Sequence, residues 1–278
     1  MENLAERTAI ITGASGGIGP YTCRVLANEH MNLVLAGPST DGLADLAGSF
    51  SKFTKVIVVR TDVTRLEDLE QLHSITKSKF GLVDLLVNNA GIEMFSRYHT
   101  LSFSDIEQII KVNLTSAMLL TRMVLPEMLS QQRGHIVNMS SLSAKAGPPC
   151  AEPYAATKAA LIAFTESIRA EYRGTGVSAS VICPGFVTAG IYQRIVDETG
   201  LTAPLLIGTS SPESVAQAIL RAIKKDIPEV LINPGPTRLL SVMGEISPLL
   251  GEWIMRRVGA VSWFLEVARV REQRKRVS

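Results

Sequence analysis

The sequence predicts an α/β fold, a doubly wound parallel sheet of about seven strands with helices on both faces and a C-terminal helical appendage. Three observations carry that expectation. Short β-branched or apolar runs alternate with longer helical patterns through the first two-thirds of the chain, as in a parallel sheet covered by helices. A glycine-rich turn joins the first of these runs to a helix. After residue 236 the alternation stops and only helical patterns follow.

Strands are expected at residues 9–12, 33–36, 56–60, 85–88, 135–139, 178–183 and 230–232. Thr64 with Glu67 reads as a capping box ahead of a helix over 66–79, and Ser104 with Glu107 as another ahead of a long helix through Met128. Ser211 and Pro212 suit the N-cap and first turn of a helix reaching Lys224. No repeat, low-complexity tract or linker divides the chain. One dinucleotide-binding catalytic domain is therefore expected over 1–235, including a substrate loop over 186–209. Residues 236–278 form an extension and not an independent domain. That extension reads as helices over 239–246 and 248–271. It is apolar at Leu249, Trp253, Trp263 and Phe264 and basic at Arg269, Arg271, Arg274, Lys275 and Arg276.

Composition narrows the function. Hydrophobic residues make up 46% and charged residues 19% of the 278, the balance of a packed globular chain. A net charge of +2 without a basic stripe argues against a nucleic-acid partner. Cys23, Cys150 and Cys183 lie far apart and the four histidines are scattered, so neither a disulfide framework nor a metal site is expected. The first strand begins too early for a signal core, and no apolar stretch is expected to span a bilayer. The expected compartment is soluble, reducing and cytoplasmic.

The first strand runs into Thr12-Gly13-Ala14-Ser15-Gly16-Gly17-Ile18-Gly19. Glycines let a backbone approach a pyrophosphate closely, and the following helix N-terminus offers unpaired N–H groups to it. Farther on, Tyr154 and Lys158 stand four residues apart on one helix face. A free phenol titrates near 10, too high for neutral acid/base work. The neighbouring ammonium would favour phenolate, so Tyr154 could exchange a proton, while Lys158 could also hold a nicotinamide ribose. Asn113 is a poor choice inside a helix, which points to a special role.

This arrangement resembles the short-chain dehydrogenase/reductase family. The glycine turn, Asn88-Asn89-Ala90-Gly91, Ser141 thirteen residues before Tyr154, and the Tyr154–Lys158 pair occur in that family's order over residues 8–235. The resemblance implies a Rossmann-type fold and an NAD- or NADP-dependent oxidoreductase acting on a carbonyl or alcohol. By resemblance, Tyr154 is the acid/base, with Lys158 lowering its pKa. Ser141 holds the substrate oxygen, with Ser140 as the adjacent alternative, and Asn113 supports a proton relay. The cofactor would lie on Gly13, Ser15, Gly16, Gly17, Ile18 and Gly19. Asp62 and Val63 would flank its adenine. Asn89, Ala90 and Gly91 would form its floor, and Pro184 and Gly185 would line its nicotinamide end. Homo-oligomers, dimers or tetramers, are also implied.

Two positions depart from the family. Where relatives carry an Asp or an Arg that selects NAD or NADP, this chain has Gly37 and Pro38. Ser39 and Thr40 could bond a 2′-phosphate, which tilts the expectation to NADP. The carboxamide-binding threonine is replaced by Ala189, leaving Thr188 as a substitute. Apolar residues of the 186–209 loop, such as Phe186, Ile191 and Leu206, either line a site for a lipophilic steroid-, retinoid- or fatty-acyl-like substrate or simply pack the lid. The loop and appendage tilt the choice to steroid- or retinoid-like compounds over an oxoacyl thioester. The appendage itself has three readings: packing over the cleft or a subunit interface, docking on a membrane surface, or a solvated tail. Alternative functions are a catalytically silent NAD(P)-binding sensor or scaffold, which should lack one of the four active residues, and a lipid-binding module. The latter predicts that deletion after residue 236 abolishes function while Tyr154→Phe does not.

Overall fold

A computed structural model describes every residue except Glu2, Pro236 and Ser278; the side chains of residues 237, 238 and 275–277 also lie outside the described set. Lys275 and Arg276 of the expected basic tail fall there. Among the described residues one parallel sheet forms, in the order β3-β2-β1-β4-β5-β6-β7. Its strands are β1 (Thr8–Thr12), β2 (Asn32–Gly37), β3 (Val56–Arg60), β4 (Leu85–Asn88), β5 (Gly134–Met139), β6 (Val177–Pro184) and β7 (Glu229–Ile232). The order reverses beside β1, leaving a crevice at the carboxyl ends of β1 and β4, where open α/β sheets bind ligands.

The doubly wound arrangement follows from side-chain alternation. Ala9, Ile11, Leu33, Leu35 and Val87 enter one core, shared with α1 (Gly19–Asn28), α2 (Asp41–Phe50) and the later helix α9 (Pro212–Lys225). Ile10, Val34, Leu86 and Ile136 enter the opposite core, under α3 (Leu66–Phe80) and α5 (Ser116–Ser130). Strands buried on both faces read as continuous apolar runs, which is why they were visible in the sequence.

Helix starts depart from expectation in two places. Thr64 does not cap α3: its N–H and hydroxyl both bond Asp62 Oδ1, at 2.9 and 2.7 Å, and the N-cap is Arg65, with no side-chain cap. Asp62 captures Thr64 in a local turn that competes with capping. The second box is formed by Ser102 and Asp105, two residues before the expected pair, at the head of α4 (Phe103–Ile110). The expected long helix is then interrupted by a π segment, Lys111–Thr115, before α5. The stretch Phe103–Ser130 is, against expectation, long and apolar enough to cross a membrane by length and composition, but half of its most apolar window is buried inside the fold.

The chain continues through α6 (Ser143–Ala146), α7 (Glu152–Glu171), α8 (Gly190–Thr199) and α9 (Pro212–Lys225). Ser211 caps α9 as expected, its side chain accepting from Ser214 N–H at 3.1 Å. The C-terminal part forms three helices instead of two: α10 (Thr237–Ile246), α11 (Pro248–Arg257) and α12 (Ala260–Val277). The expected 248–271 helix breaks because Gly259 adopts φ +80°, a conformation that ends a helix turn. α10 and α11 meet where Gly244 and Gly251 face one another; a Cβ on Gly251 would lie 3.0 Å from Gly244 Cα.

Candidate active site

A cleft of about 1380 Å³ opens over the carboxyl ends of the strands. A single small-molecule site occupies roughly 300–1,000 Å³, so this cleft has room for two ligands. Of the residues expected to bind cofactor, Gly13, Ser15, Gly16, Gly17, Ile18, Asp62, Val63, Asn89, Ala90, Gly91, Tyr154, Lys158, Pro184 and Gly185 line it. Gly19 and Thr188 do not.

The glycine turn is built by packing as much as by any ligand. Gly13 and Gly17 have φ of +61° and +54°, where a Cβ is strained. A Cβ on Gly13 would sit 2.9 Å from Ala90 Cα, and one on Gly19 would meet Gly13 O at 2.5 Å. Gly19 thus serves the turn's own closure. Asn89 holds the turn from the side, its amide donating to the carbonyls of Thr12 and Gly13 at 3.0 and 2.9 Å. The Thr12 hydroxyl accepts the N–H groups of Asn89 and Ala90, each at 3.1 Å. By contrast, a Cβ on Gly16 would meet nothing closer than 4.0 Å. The helix that follows has no side-chain cap, but its Gly19 N–H donates to Gly16 O at 2.8 Å and Pro20 has no N–H, so it offers an anion fewer free donors than a helix start ordinarily does. At the β2 end, Gly37 and Pro38 line the cleft, and the parallel register sets exposed Arg60 beside Gly37.

At the other end stand Ser141, Tyr154 and Lys158. β5 delivers the serines and α7 the Tyr–Lys pair. The two serines divide their work: the Ser140 hydroxyl donates to Lys158 O at 2.7 Å, while the Ser141 hydroxyl, beside Tyr154 on the cleft, donates to Pro184 O at 3.4 Å and accepts from Ser143 N–H at 3.1 Å. Lys158 is buried, donates to Met139 O at 2.7 Å, and lies 5.5 Å from the Tyr154 ring centre. Asn113 occupies the π segment, a local widening common at functional positions. It is not on the cleft surface. Its Oδ1 accepts from Ile92 N–H at 2.8 Å and its Nδ2 donates to Ile92 O at 2.9 Å, so it clamps the chain just past Gly91. A Cβ on Gly91 would stand 3.5 Å from Lys158 Nζ and 3.6 Å from Asn113 Oδ1; glycine there keeps the two groups close.

Electrostatics differ from the simple expectation of a lysine-lowered phenol. Burial pushes Tyr154 up to about 12, with Glu93 and Cys183 adding to the rise and the Ser141 hydrogen bond opposing it. The same loss of solvent pushes Lys158 down to about 8. Desolvation outweighs the pair's mutual effect.

Thr188 is exposed, and its N–H and hydroxyl reach Ser210 O at 3.0 and 3.5 Å. The parallel bridge between Val187 and Ser210 turns it away from the cleft, where Ala189 stands instead.

The extension supplies what the motifs did not announce. α12 places Trp263, Phe264 and Val267 in one buried cluster with Phe95, Tyr154 and Tyr192. Phe95 packs edge-on against Tyr154 at 5.6 Å and against Phe264 at 5.1 Å. Arg271 pairs with Glu93 and Glu198. The signal was present as the spacing 264, 267, 268, 271, which lines one helix face, but the basic residues masked it. Trp253, unlike Trp263, is 55% exposed on α11. The two tryptophans therefore do not share the single apolar face that membrane docking required.

Comparison with known proteins agrees with this architecture. A family model described as short chain dehydrogenase matches residues 7–200. The chain is 38% identical over 269 residues to the ketoacyl reductase HetN of Nostoc sp., covering 95% of this chain and 93% of that protein. It is 34% identical to a 3-oxoacyl-[acyl-carrier-protein] reductase of Synechocystis sp., covering 79% and 90%. Among solved structures, an alcohol dehydrogenase from the archaeon Thermococcus sibiricus, complexed with 5-hydroxy-NADP, superposes with a TM-score of 0.72 at 27% identity, covering 82% of this chain and 96% of that one. The chain belongs to the short-chain dehydrogenase family, oxidoreductases that work with NAD(P).

Proposed function

We propose that the protein reduces the ketone of a lipophilic substrate, a 3-oxoacyl thioester in the first instance, with NADPH as the preferred reductant. The observation that carries this reading is the convergence of Ser141, Tyr154 and Lys158 on one cleft large enough for two ligands. The glycine floor, the uncapped α1 N-terminus and buried Lys158 fit a nicotinamide dinucleotide, which supplies the hydride when bound.

Tyr154 and Ser141 then act on the substrate oxygen. Ser141 donates to the carbonyl and holds it beside the phenol. A phenol held near 12 keeps its proton at neutral pH, so Tyr154 is set to give that proton to the oxygen as negative charge develops. Lys158, near 8, retains a proton close by, and Asn113 fixes the loop against which it rests. An apolar wall of Phe95, Phe186, Ile191 and Phe264 excludes water and suits a hydrocarbon substrate. The names of the two reductase relatives tilt the substrate from a steroid- or retinoid-like compound to an acyl chain.

NADP preference rests on charge. No carboxylate stands at the end of β2 to repel a 2′-phosphate, the Asp62 carboxylate is engaged by Thr64, and Arg60 lies beside Gly37 in the sheet register. The test is fluorescence titration with NADPH and NADH, followed by turnover of 3-oxoacyl thioesters. Tighter NADPH binding that weakens about tenfold in Arg60→Ala, with turnover lost in Tyr154→Phe, is the expected result. Equal affinity for both cofactors removes the NADP preference. Turnover retained by Tyr154→Phe removes the mechanism.

A further inference from the structure

We propose that Arg271 is a positioning residue of this active site: it clasps the C-terminal helix onto the substrate loop and compensates the charge of Glu93, a buried carboxylate that accepts from the N–H of Phe95, the residue whose ring stands edge-on to Tyr154. The inference rests on the reading of Tyr154 as proton donor.

Its guanidinium joins three segments that are distant in sequence. Nη1 and Nη2 each donate to Glu93 at 2.9 Å, a two-pronged pair with the loop that follows β4. Nε and Nη2 donate to Glu198 Oε2 at 3.1 and 2.6 Å, in α8 of the substrate loop. Nη1 also reaches Phe95 O at 3.4 Å. The Glu93 side chain is only 4% exposed, and a carboxylate this buried is costly to keep ionised without a partner. Planar two-pronged pairing is the geometry arginine supplies and lysine does not.

The groups around Tyr154 make the charge matter. Its own helix contributes Lys158, β6 contributes Cys183, the end of β5 contributes the Ser141 hydroxyl, and the loop after β4 contributes Glu93. α8 and α12 face it with Tyr192, Trp263 and Phe264, so the positive charge that answers Glu93 comes from Arg271. Glu93 already raises the phenol. Without Arg271 the carboxylate acts uncompensated, the phenol becomes a poorer acid, and α8 loses its tie to α12.

The experiment is the pH profile of kcat and kcat/KM with NADPH and a 3-oxoacyl thioester, measured for four variants beside the parent. In Arg271→Ala the limb that reports Tyr154 should move upward by roughly one pH unit, the scale of one unit charge across a protein interior. kcat at neutral pH should fall about tenfold. Adding Glu93→Gln to that variant should bring the limb back while KM stays high. Arg271→Lys should hold the limb near its parent position but raise KM. Glu198→Gln, at a carboxylate that is itself half exposed, should raise KM alone; it and the lysine variant carry the test if Arg271→Ala does not fold. A limb that stays in place in Arg271→Ala or, where that variant does not fold, a KM that stays unchanged in both Arg271→Lys and Glu198→Gln, with only the melting temperature reduced, makes the clasp merely structural and overturns the proposal. Loss of the limb's assignment through an active Tyr154→Phe would instead strike the underlying mechanism, so the two failures are distinct.

Discussion

Replacing Phe264 by alanine should both destabilise the protein and damage catalysis, because one side chain joins the extension, through Phe95, to Tyr154, the proposed proton donor. Phe264 is 5% exposed. Its ring stands edge-on to Phe95 at 5.1 Å and to Trp263 at 4.9 Å, with Phe186 at 6.2 Å. Truncating a buried phenylalanine costs about 3–5 kcal/mol. Two lost edge contacts, each contributing roughly 0.5–1.5 kcal/mol beyond area, place the expectation in the upper half of that range. For a chain of this size the melting temperature should fall by roughly 10 °C. Phe264→Leu keeps most of the volume and should cost about half as much. The kinetic consequence is directional. Phe95 loses a ring packed against it at 5.1 Å, so the phenol's edge contact at 5.6 Å loosens and kcat falls. The glycine turn lies at the other end of the cleft, so dinucleotide affinity should hardly change. Urea unfolding followed by circular dichroism, cofactor titration and initial rates would measure all three quantities. A cost below about 1 kcal/mol with unchanged turnover would refute the docking of α12 on the site.

Two further outcomes follow from burial and backbone geometry. His135 is buried in β5 with Nε2 2.9 Å from Ser180 Oγ, and burial pushes its pKa from 6.5 down to about 3. The unfolded chain therefore binds a proton that the folded chain refuses, and stability should decline as pH falls from about 6.5 toward 3, by up to about 1.4 kcal/mol per unit. Denaturation at pH 5 and 7 should show a smaller difference in His135→Gln than in the parent; an equal difference would locate the acid sensitivity elsewhere. Gly190 opens α8 with φ +59°, and a Cβ there would lie 2.8 Å from Gly17 Cα. Gly190→Ala should raise the dinucleotide Kd and the substrate KM together. Gly200→Ala, strained at φ +73° but facing open space, should cost about 1 kcal/mol of stability and leave both constants alone.

Much of the fold was legible because its signals are local. A strand buried on both faces announces itself as an apolar run, and all seven lie where those runs predicted, within a residue or so at each end. Helix caps were harder, since several polar residues compete for one end. Thr64 had the right neighbour three residues on, yet the Asp62 carboxylate captured it first. Ser104 lost to Ser102, whose partner Asp105 closes the box from both sides. The π segment at Asn113 was foreshadowed only as an unfavourable residue in a helix. Its geometry depends on the bond that Asn113 makes to Ile92, a contact between elements that no window of sequence contains.

The site divides along the same line. The glycine turn and the Tyr154–Lys158 pair are short-range patterns, and the structure brings them to one cleft. The direction of the phenol's shift is a property of the whole surroundings. Spacing placed an ammonium next to Tyr154, but only three-dimensional burial shows that both groups lose solvent and move toward their neutral forms. Arg271 illustrates the limit most sharply. In the sequence it is one of several cations near the end of the chain, where a charge run ordinarily means a solvated face. What distinguishes it is a buried glutamate 178 residues away. An acid so placed needs a cation, and the cation must come from whatever element covers it. Reading the requirement from Glu93 outward, instead of from the tail inward, turns the extension from an appendage into a wall of the site. The helix that packs on Tyr154 lies outside the segment that carries the family motifs, so on the proposed function selectivity for substrate would rest on α8 and α12 more than on Ser141, Tyr154 and Lys158.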